Sequence, residues 1–548
     1  MQNDKYMGPE PPAYGFTSAP PQASQNYPPQ NNPQYGYPPS QGYPQPGYPQ
    51  QGYPPQSFSP PPQSYGQPPP QNYGPPPPQN YGPPPTTTII VQPNGWYSRN
   101  QRNKPQSNAA GAAALIFLTG GMNIAWSMGF RDIYLLSLNL HTCVAWFIGG
   151  IIGALLSCFL ANKLPKKIVL CFCSLLVIIG GIVLSTTRLN IQAIEASLYL
   201  NGIANGLAFA PTMALVGEVA VSYMRGPIAA SIEQFSVITG VFVQIIYLTA
   251  WTTNDYYNDF TTQQMQGTLS AICGLIALII AALLCIESPV IMLANGEEQK
   301  AIDALRRLQR PATVTNETFA QLDEHKRYLA QNKEMSTAQS IIQAFPAFVR
   351  LCYLRALNAM SLSALVFYAM FLTLSYSNIF GYTYIWQYIV FGISRWLGTA
   401  ISSFCMESAG RKKTILLGLV VSGGIAFGIA NLISYYPRMS TDTLFSLLCV
   451  YQLFAGIAFT STSAYMSEAY PLGVKQHFIG STYILEMLVF IIIGCVDYSL
   501  GGHKIFFYSV GGLSIFGFLM GIFCLPETRR TTLRESQDKF KGFLNRGF

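Results

Sequence analysis

The sequence predicts an all-α membrane protein, with twelve transmembrane helices in two six-helix bundles and a disordered N-terminal tail. Three observations carry that prediction. Of 548 residues, 49% are hydrophobic and only 10% charged, where a soluble domain has about 25% charged. Beyond residue 96 the apolar residues gather into runs long enough to cross a bilayer, which takes about 20 residues. Short polar strings also recur in the same order at a nearly constant offset. NKLPKK from Asn162 pairs with ESAGRKK from Glu407, GEVAVSYMRG from Gly217 with SEAYPLGVKQ from Ser467, and ESP at Glu287 with PET at Pro526. Offsets of 240 to 250 residues describe two halves built to one plan and related by a parallel repeat.

Residues 1–96 hold most of the 39 prolines, and PPQSYG or PPQNYG units begin at Pro61, Pro69 and Pro77. This composition cannot bury a core and favours extended, polyproline-like states. Within it, Pro11-Pro12-Ala13-Tyr14 has the PPxY form of a WW-domain ligand. No basic and then apolar run opens the chain, so the first span is expected to act as an uncleaved insertion signal.

The spans are expected near 109–128, 142–161, 166–186, 194–216, 227–250, 267–286, 347–376, 382–405, 413–434, 443–466, 477–497 and 505–525. The domains that follow are the tail 1–96, a first bundle 105–286, a cytoplasmic loop 287–346, a second bundle 347–526 and a cytoplasmic tail 527–548. Lys163, Lys166, Lys167, Arg225, Arg411, Lys412, Lys413 and Lys475 fall on one set of loops, with Arg529, Arg530 and Arg534 beyond the last span. The opposite loops carry Arg131, Arg188, Arg438 and Lys504. Both termini are therefore expected in the cytoplasm, and the plasma membrane is the expected location.

In the large loop, GEEQKAIDALRRLQR from Gly296 places Ala301, Ala304, Leu305 and Leu308 on one helical face. A second, weaker pattern starts at Glu317. Asn316-Glu317-Thr318 fits a glycosylation acceptor but lies on the cytoplasmic side, so it is expected to be unmodified. Gly149, Gly153 and Ser157, like Ser394, Gly398 and Ser402, recur at a four-residue spacing that lets helices approach closely.

Several function classes are excluded by what the residues offer. The eleven cysteines lie in or beside apolar runs, so no external disulfide framework is implied. The net charge of +8 sits in loops rather than in a nucleic-acid-binding module. There is no phosphate-binding loop and no metal-ligand cluster, and the four histidines, His141, His325, His477 and His503, are scattered. No enzyme chemistry and no cofactor are predicted; the expected partners are the lipid bilayer and a small solute.

Glu218, Arg225, Glu287, Glu407, Arg411, Glu468 and Glu527, in GEVAVSYMRG, ESP, ESAGRKK, SEAYP and PETRRTTLRE, stand at the ends of these spans. With those strings in order, residues 105–535 resemble the sugar porter family of the major facilitator superfamily. The resemblance implies the major facilitator fold and alternating access, with these seven residues forming a cytoplasmic gate. It also exposes departures: Pro165 for a loop glycine, Leu198 for an arginine and Val290 after ESP. These imply a looser first-half lock.

In the family's solute pathway, Gln234 is kept, while Asn358 and Ala359 fall where paired glutamines are expected. Ala364, Ala455 and Ser463 replace other sugar contacts. Charges stand in the spans instead, at Glu233, Arg395 and Glu486. A lone charge at mid-membrane costs at least about 2.5–3.5 kcal/mol, so these three residues should face a partner or a cavity. An Arg395–Glu486 ion pair, snorkelling near the span ends, contact with a charged or zwitterionic solute and a proton site are all open. The resemblance implies a secondary-active or facilitative transporter of a small solute. The alternatives are a small organic-ion transporter using Arg395, Glu486 and Glu233, and a membrane scaffold or sensor that does not transport.

Overall fold

The computed structural model describes residues 96–131, 139–161, 163–187, 190–251, 260–379, 386–435, 440–496 and 499–544. Pro11, Pro12, Tyr14, Arg188 and Arg438 lie outside the described residues. Residues 1–88 and 89–548 form separate units, and everything below concerns the second.

Among the described residues, twelve helices are long and apolar enough to cross a membrane. In order they are Gly111–Met128, Leu140–Phe159, Lys166–Thr186, Ile191–Val219, Arg225–Thr249 and Thr262–Leu284, then Thr337–Leu374, Trp386–Ala409, Arg411–Ile433, Thr441–Glu468, Lys475–Gly494 and Leu500–Cys524. Their outer faces carry large apolar side chains such as Phe159, Leu283, Phe404 and Ile505, which suits helices solvated by lipid.

Close packing explains the small residues. A Cβ built on Gly153 would lie 2.2 Å from the Ile203 carbonyl oxygen, and one on Gly398 would lie 2.0 Å from that of Leu453. The second span thus presses on the fourth and the eighth on the tenth, backbone against backbone. Between the eighth and ninth spans, Gly410 takes φ +98°, a left-handed conformation that costs a residue without Cβ little.

Three spans are irregular. The fifth contains a π-helical turn, Ser231–Phe235. The seventh breaks after Ser361 and resumes at Ala364, and the tenth breaks at Ser461 between Thr460 and Thr462. Such interruptions are tolerated in a membrane where the backbone is buried in protein.

Besides the short Pro289–Ala294, four helices among the described residues flank the bundle on the face bearing the basic loops. Glu298–Arg307 buries Ala301, Ala304 and Leu305, with Leu308 just beyond, the face expected from sequence. Asn316–Lys333 is longer than its weak pattern suggested, because Thr315 and Thr318 form a capping box and Tyr328 is buried against Gln537. The other two, Trp96–Ala109 and Leu533–Phe540, were not expected. The Asn316–Lys333 helix ties this face together through Glu317 to Arg102 at 2.7 Å, Glu324 to Arg534 at 3.3 Å, and Asn332 to the Leu472 amide at 2.9 Å. The seventh span also begins in the loop, at Thr337 rather than near 347, capped by Ser336 and Gln339.

Candidate functional site: a charged centre between two closures

The site lies on the axis between the halves, with the irregular turns around it. Arg355, 1% exposed, projects from the seventh span. Its Nη2 donates to Glu233 Oε1 at 2.8 Å, its Nη1 to Glu233 Oε2 at 3.2 Å, and its Nε to Glu486 Oε2 at 2.9 Å. One guanidinium therefore holds a carboxylate from each half. The π turn helps to place Glu233 beside Gln234, whose amide donates to Glu233 at 2.8 Å. The break in the tenth span sets Thr462 on Arg355 and Ser463 on Glu233. Phe209 of the first half stacks its face under Arg355 at 5.4 Å, a favourable place for a desolvated cation.

Arg395 is not paired with Glu486. Asn358 stands between them, donating to Glu486 Oε1 at 2.9 Å and accepting from Arg395 Nη2 at 2.8 Å. Arg395 also donates to Ser361 Oγ at 3.0 Å and lies 5.9 Å over Phe459. The direct Arg395–Glu486 pair considered from sequence is thus corrected: Arg355 is closer and takes the carboxylate. Arg355 is the residue that sequence reasoning missed. An arginine inside the expected seventh span, subject to the same insertion penalty as the other three charges, was the signal.

This centre encloses little space. The cavity lined by Phe117, Gly120, Trp146, Asn205, Phe209 and Tyr483, among others, has a volume of about 30 Å³. That is room for about two waters, not for a sugar ring. Toward the end away from the basic loops, Phe147 and Phe490 stack at 4.7 Å and Phe130 meets Phe367 at 4.4 Å, each pair joining the two halves. Above this aromatic plug opens a vestibule of about 340 Å³ with Arg131, Cys143 and Tyr368 on its walls. Phe490 lines both spaces.

The opposite end is closed by charge. Glu218 accepts from Lys166 of its own half at 2.7 Å and lies 3.7 Å from Lys475 of the other. Glu468 is bound by Arg411 of its own half and lies 3.6 Å from Arg225 of the other. The two carboxylates are 250 residues apart, as are Arg225 and Lys475, and Lys166 precedes Arg411 by 245. The clasp is therefore doubled by the repeat. The first-half lock differs in its chemistry: Lys166 supplies the charge that Arg411 supplies in the second half, as a compact ammonium rather than a planar fork. Lys166 and Lys475, read from sequence only as loop charges, are both buried.

Glu287 and Glu527 take a different part from the one expected. Glu287 accepts from the backbone amides of Lys166 at 3.2 Å and Lys167 at 2.7 Å, and Glu527 from those of Arg411 and Lys412, both at 3.1 Å. Each caps the start of a span in its own half, where amides and dipole favour an anion. Glu407 bonds Arg411 at 3.0 Å within the second half. A Cβ at Gly410 would stand 2.6 Å from Glu527, so that glycine serves both the turn and the cap.

Residues 89–540 match the family model described as "Sugar (and other) transporter". The chain belongs to the sugar transporter family. It is 23% identical to the sheep (Ovis aries) facilitated glucose transporter member 3 of solute carrier family 2, over 73% of this chain and 81% of the relative. It is also 23% identical to member 8 of cattle (Bos taurus), over 83% and 98%. Among solved structures, the proton:xylose symporter XylE bound to 6-bromo-6-deoxy-D-glucose superposes with TM-score 0.65 at 15% identity, covering 79% of this chain and all of that one. The inward-open form of XylE from E. coli gives TM-score 0.56 at 16% identity, over 79% and 98%. The fold is that of the major facilitator superfamily, and the chain is a multi-pass membrane transporter of sugar-porter type.

Proposed function

We propose that this transporter carries a neutral sugar or polyol, which binds between the halves once they part and is sealed from the cytoplasm by the doubled clasp. The observation that carries this reading is the internal balance of the central charges. Arg355 and Arg395 stand against Glu233 and Glu486 within one hydrogen-bonded set, so the pathway presents no unmatched charge to an organic ion. The rest of the lining suits hydroxyls and a sugar face: the amides of Asn205, Gln234 and Asn358, and the rings of Trp146, Phe209 and Tyr483. Relatives named as glucose transporters and a xylose symporter support the same solute class.

In this reading Glu218 and Glu468, with Arg225, Arg411, Lys166 and Lys475, hold the cytoplasmic side shut. Glu287, Glu527 and Glu407 fix the helix ends on which that closure depends. The division into a tail, two bundles, a cytoplasmic loop and a C-terminal tail is part of the proposal. So are cytoplasmic termini, a plasma-membrane location, a WW-domain partner at Pro11, Pro12 and Tyr14, and the absence of enzymatic activity. The test is uptake of a labelled panel of neutral sugars, polyols and organic ions into vesicles holding the full chain. Saturable uptake of a neutral member is expected; uptake confined to organic ions would overturn the reading.

A further inference from the structure

We propose that Glu233 is a proton-binding site that opens and closes with the transport cycle, making a proton the co-transported ion. The inference rests on the alternating-access reading and not on which solute is carried.

Glu233 belongs to the first half, whereas its cation, Arg355, and its hydroxyl partner, Ser463, belong to the second. Its own span offers it only the Gln234 amide. With about 30 Å³ at the centre, no solute of sugar size enters unless the halves part there, and parting them draws Glu233 away from Arg355. An ionised carboxylate left buried without a cation is costly. Glu486 does not share this exposure, because Arg355 and Asn358 are both in its own half and stay with it.

The surroundings offer Glu233 no replacement cation. The first span, Gly111–Met128, contains no titratable side chain. The eighth contributes Arg395, held off by Asn358 and Ser361. The eleventh contributes Glu486 and Tyr483, a second acid and a phenol. Loading therefore adds one proton to the Glu233 carboxylate, taken from the vestibule water while the Phe490 side is open and kept as the site closes over solute with Arg355 still apart. The proton leaves when Arg355 and Glu233 pair again with the cytoplasmic side open. Arg355 keeps its charge throughout.

The full chain in proteoliposomes gives two readouts. An inward proton gradient should drive solute above its equilibrium level in the wild type, whereas uptake by Glu233→Gln should be the same with and without the gradient. Infrared difference spectra taken without solute should show one carboxylic-acid carbonyl band appearing on acidification. Glu233→Gln should abolish that band and Glu233→Asp should displace it, so a poorly folding glutamine variant does not spoil the test. A wild type with neither gradient response nor band overturns the proposal, as does a band that survives in Glu233→Gln unmoved in Glu233→Asp. If the band behaves as expected while no sugar or polyol is moved, the proton site stands and the solute reading fails.

Discussion

Arg355 is the side chain whose loss should be felt most. Removing it strands two buried carboxylates, one from each half, and breaking a buried ion pair in this way typically costs about 3–5 kcal/mol. Arg355→Gln should therefore lower folded yield and melting temperature sharply, measured on detergent-solubilised protein. Adding Glu233→Gln and Glu486→Gln to it should recover much of the loss, since no unmatched charge is then left. Arg395→Gln should cost less than Arg355→Gln, because Arg395 bonds an amide and a hydroxyl rather than a carboxylate. Equal losses in the two arginine variants would mean that both act as one inseparable unit. Of this network, Glu233, Gln234, Asn358, Arg395 and Glu486 were legible as individual residues in the sequence. Their shared partner Arg355 was not, because it meets Glu233 and Glu486 across separations of more than 100 residues.

At the scale of elements, the span ends beside the basic loops carry a clasp whose two copies are equivalent by repeat but not by chemistry. Glu468 is bound by two arginines and Glu218 by two lysines. Glu468→Gln should shift the resting population toward the state open at the clasp more than Glu218→Gln does. Coupling of this kind is worth about 1–3 kcal/mol. Accessibility of the cavity at the clasp end to a membrane-impermeant label would report it, and an unchanged pattern in both variants would reduce the clasp to a topology signal. Glu407→Gln should have the smaller effect, because its bond to Arg411 stays within one half. The small-residue contacts make a separate prediction. Gly398→Leu would drive a side chain into the Leu453 backbone, where even a Cβ has no room, and should abolish folded yield. The motif strings located these helix ends well. They did not reveal that Glu287 and Glu527 cap spans rather than bridge halves, because a carboxylate bonded to backbone amides has no partner residue type to read.

For the whole molecule, the face bearing the basic loops is where pH should act on stability. His325 sits half-buried in a crevice of about 260 Å³ with Glu218, Arg225, Glu324 and Tyr328. Burial, and after it the charge of Arg225, pushes its imidazole down to about 4 from an ordinary 6.5. With the folded value depressed, the folded state binds fewer protons than the unfolded chain between those two values. Stability is therefore full above about 6.5 and falls as pH drops toward 4. A melting-temperature series across that window should decline in the wild type and be flatter in His325→Gln; parallel curves would show that other groups set the acid limit. Deleting residues 1–88, whose Pro-rich composition cannot bury a core, should leave vesicle uptake per inserted molecule unchanged, and a large loss would tie the tail to transport.

The sequence by itself determined the number of spans, the two-fold plan and the family, because each rests on local properties. Hydropathy over about 20 residues places a helix in lipid, and a repeat of polar strings survives at constant offset however the chain folds. Tertiary structure alone decided which charges meet. Arg355 rather than Arg395 takes Glu233 and Glu486, Lys166 completes the first-half clasp, and the polar side chains of the π turn and the tenth-span break meet at Arg355. Those choices depend on distances of a few ångströms between distant segments. In a low-dielectric interior such distances separate a paired charge from a stranded one.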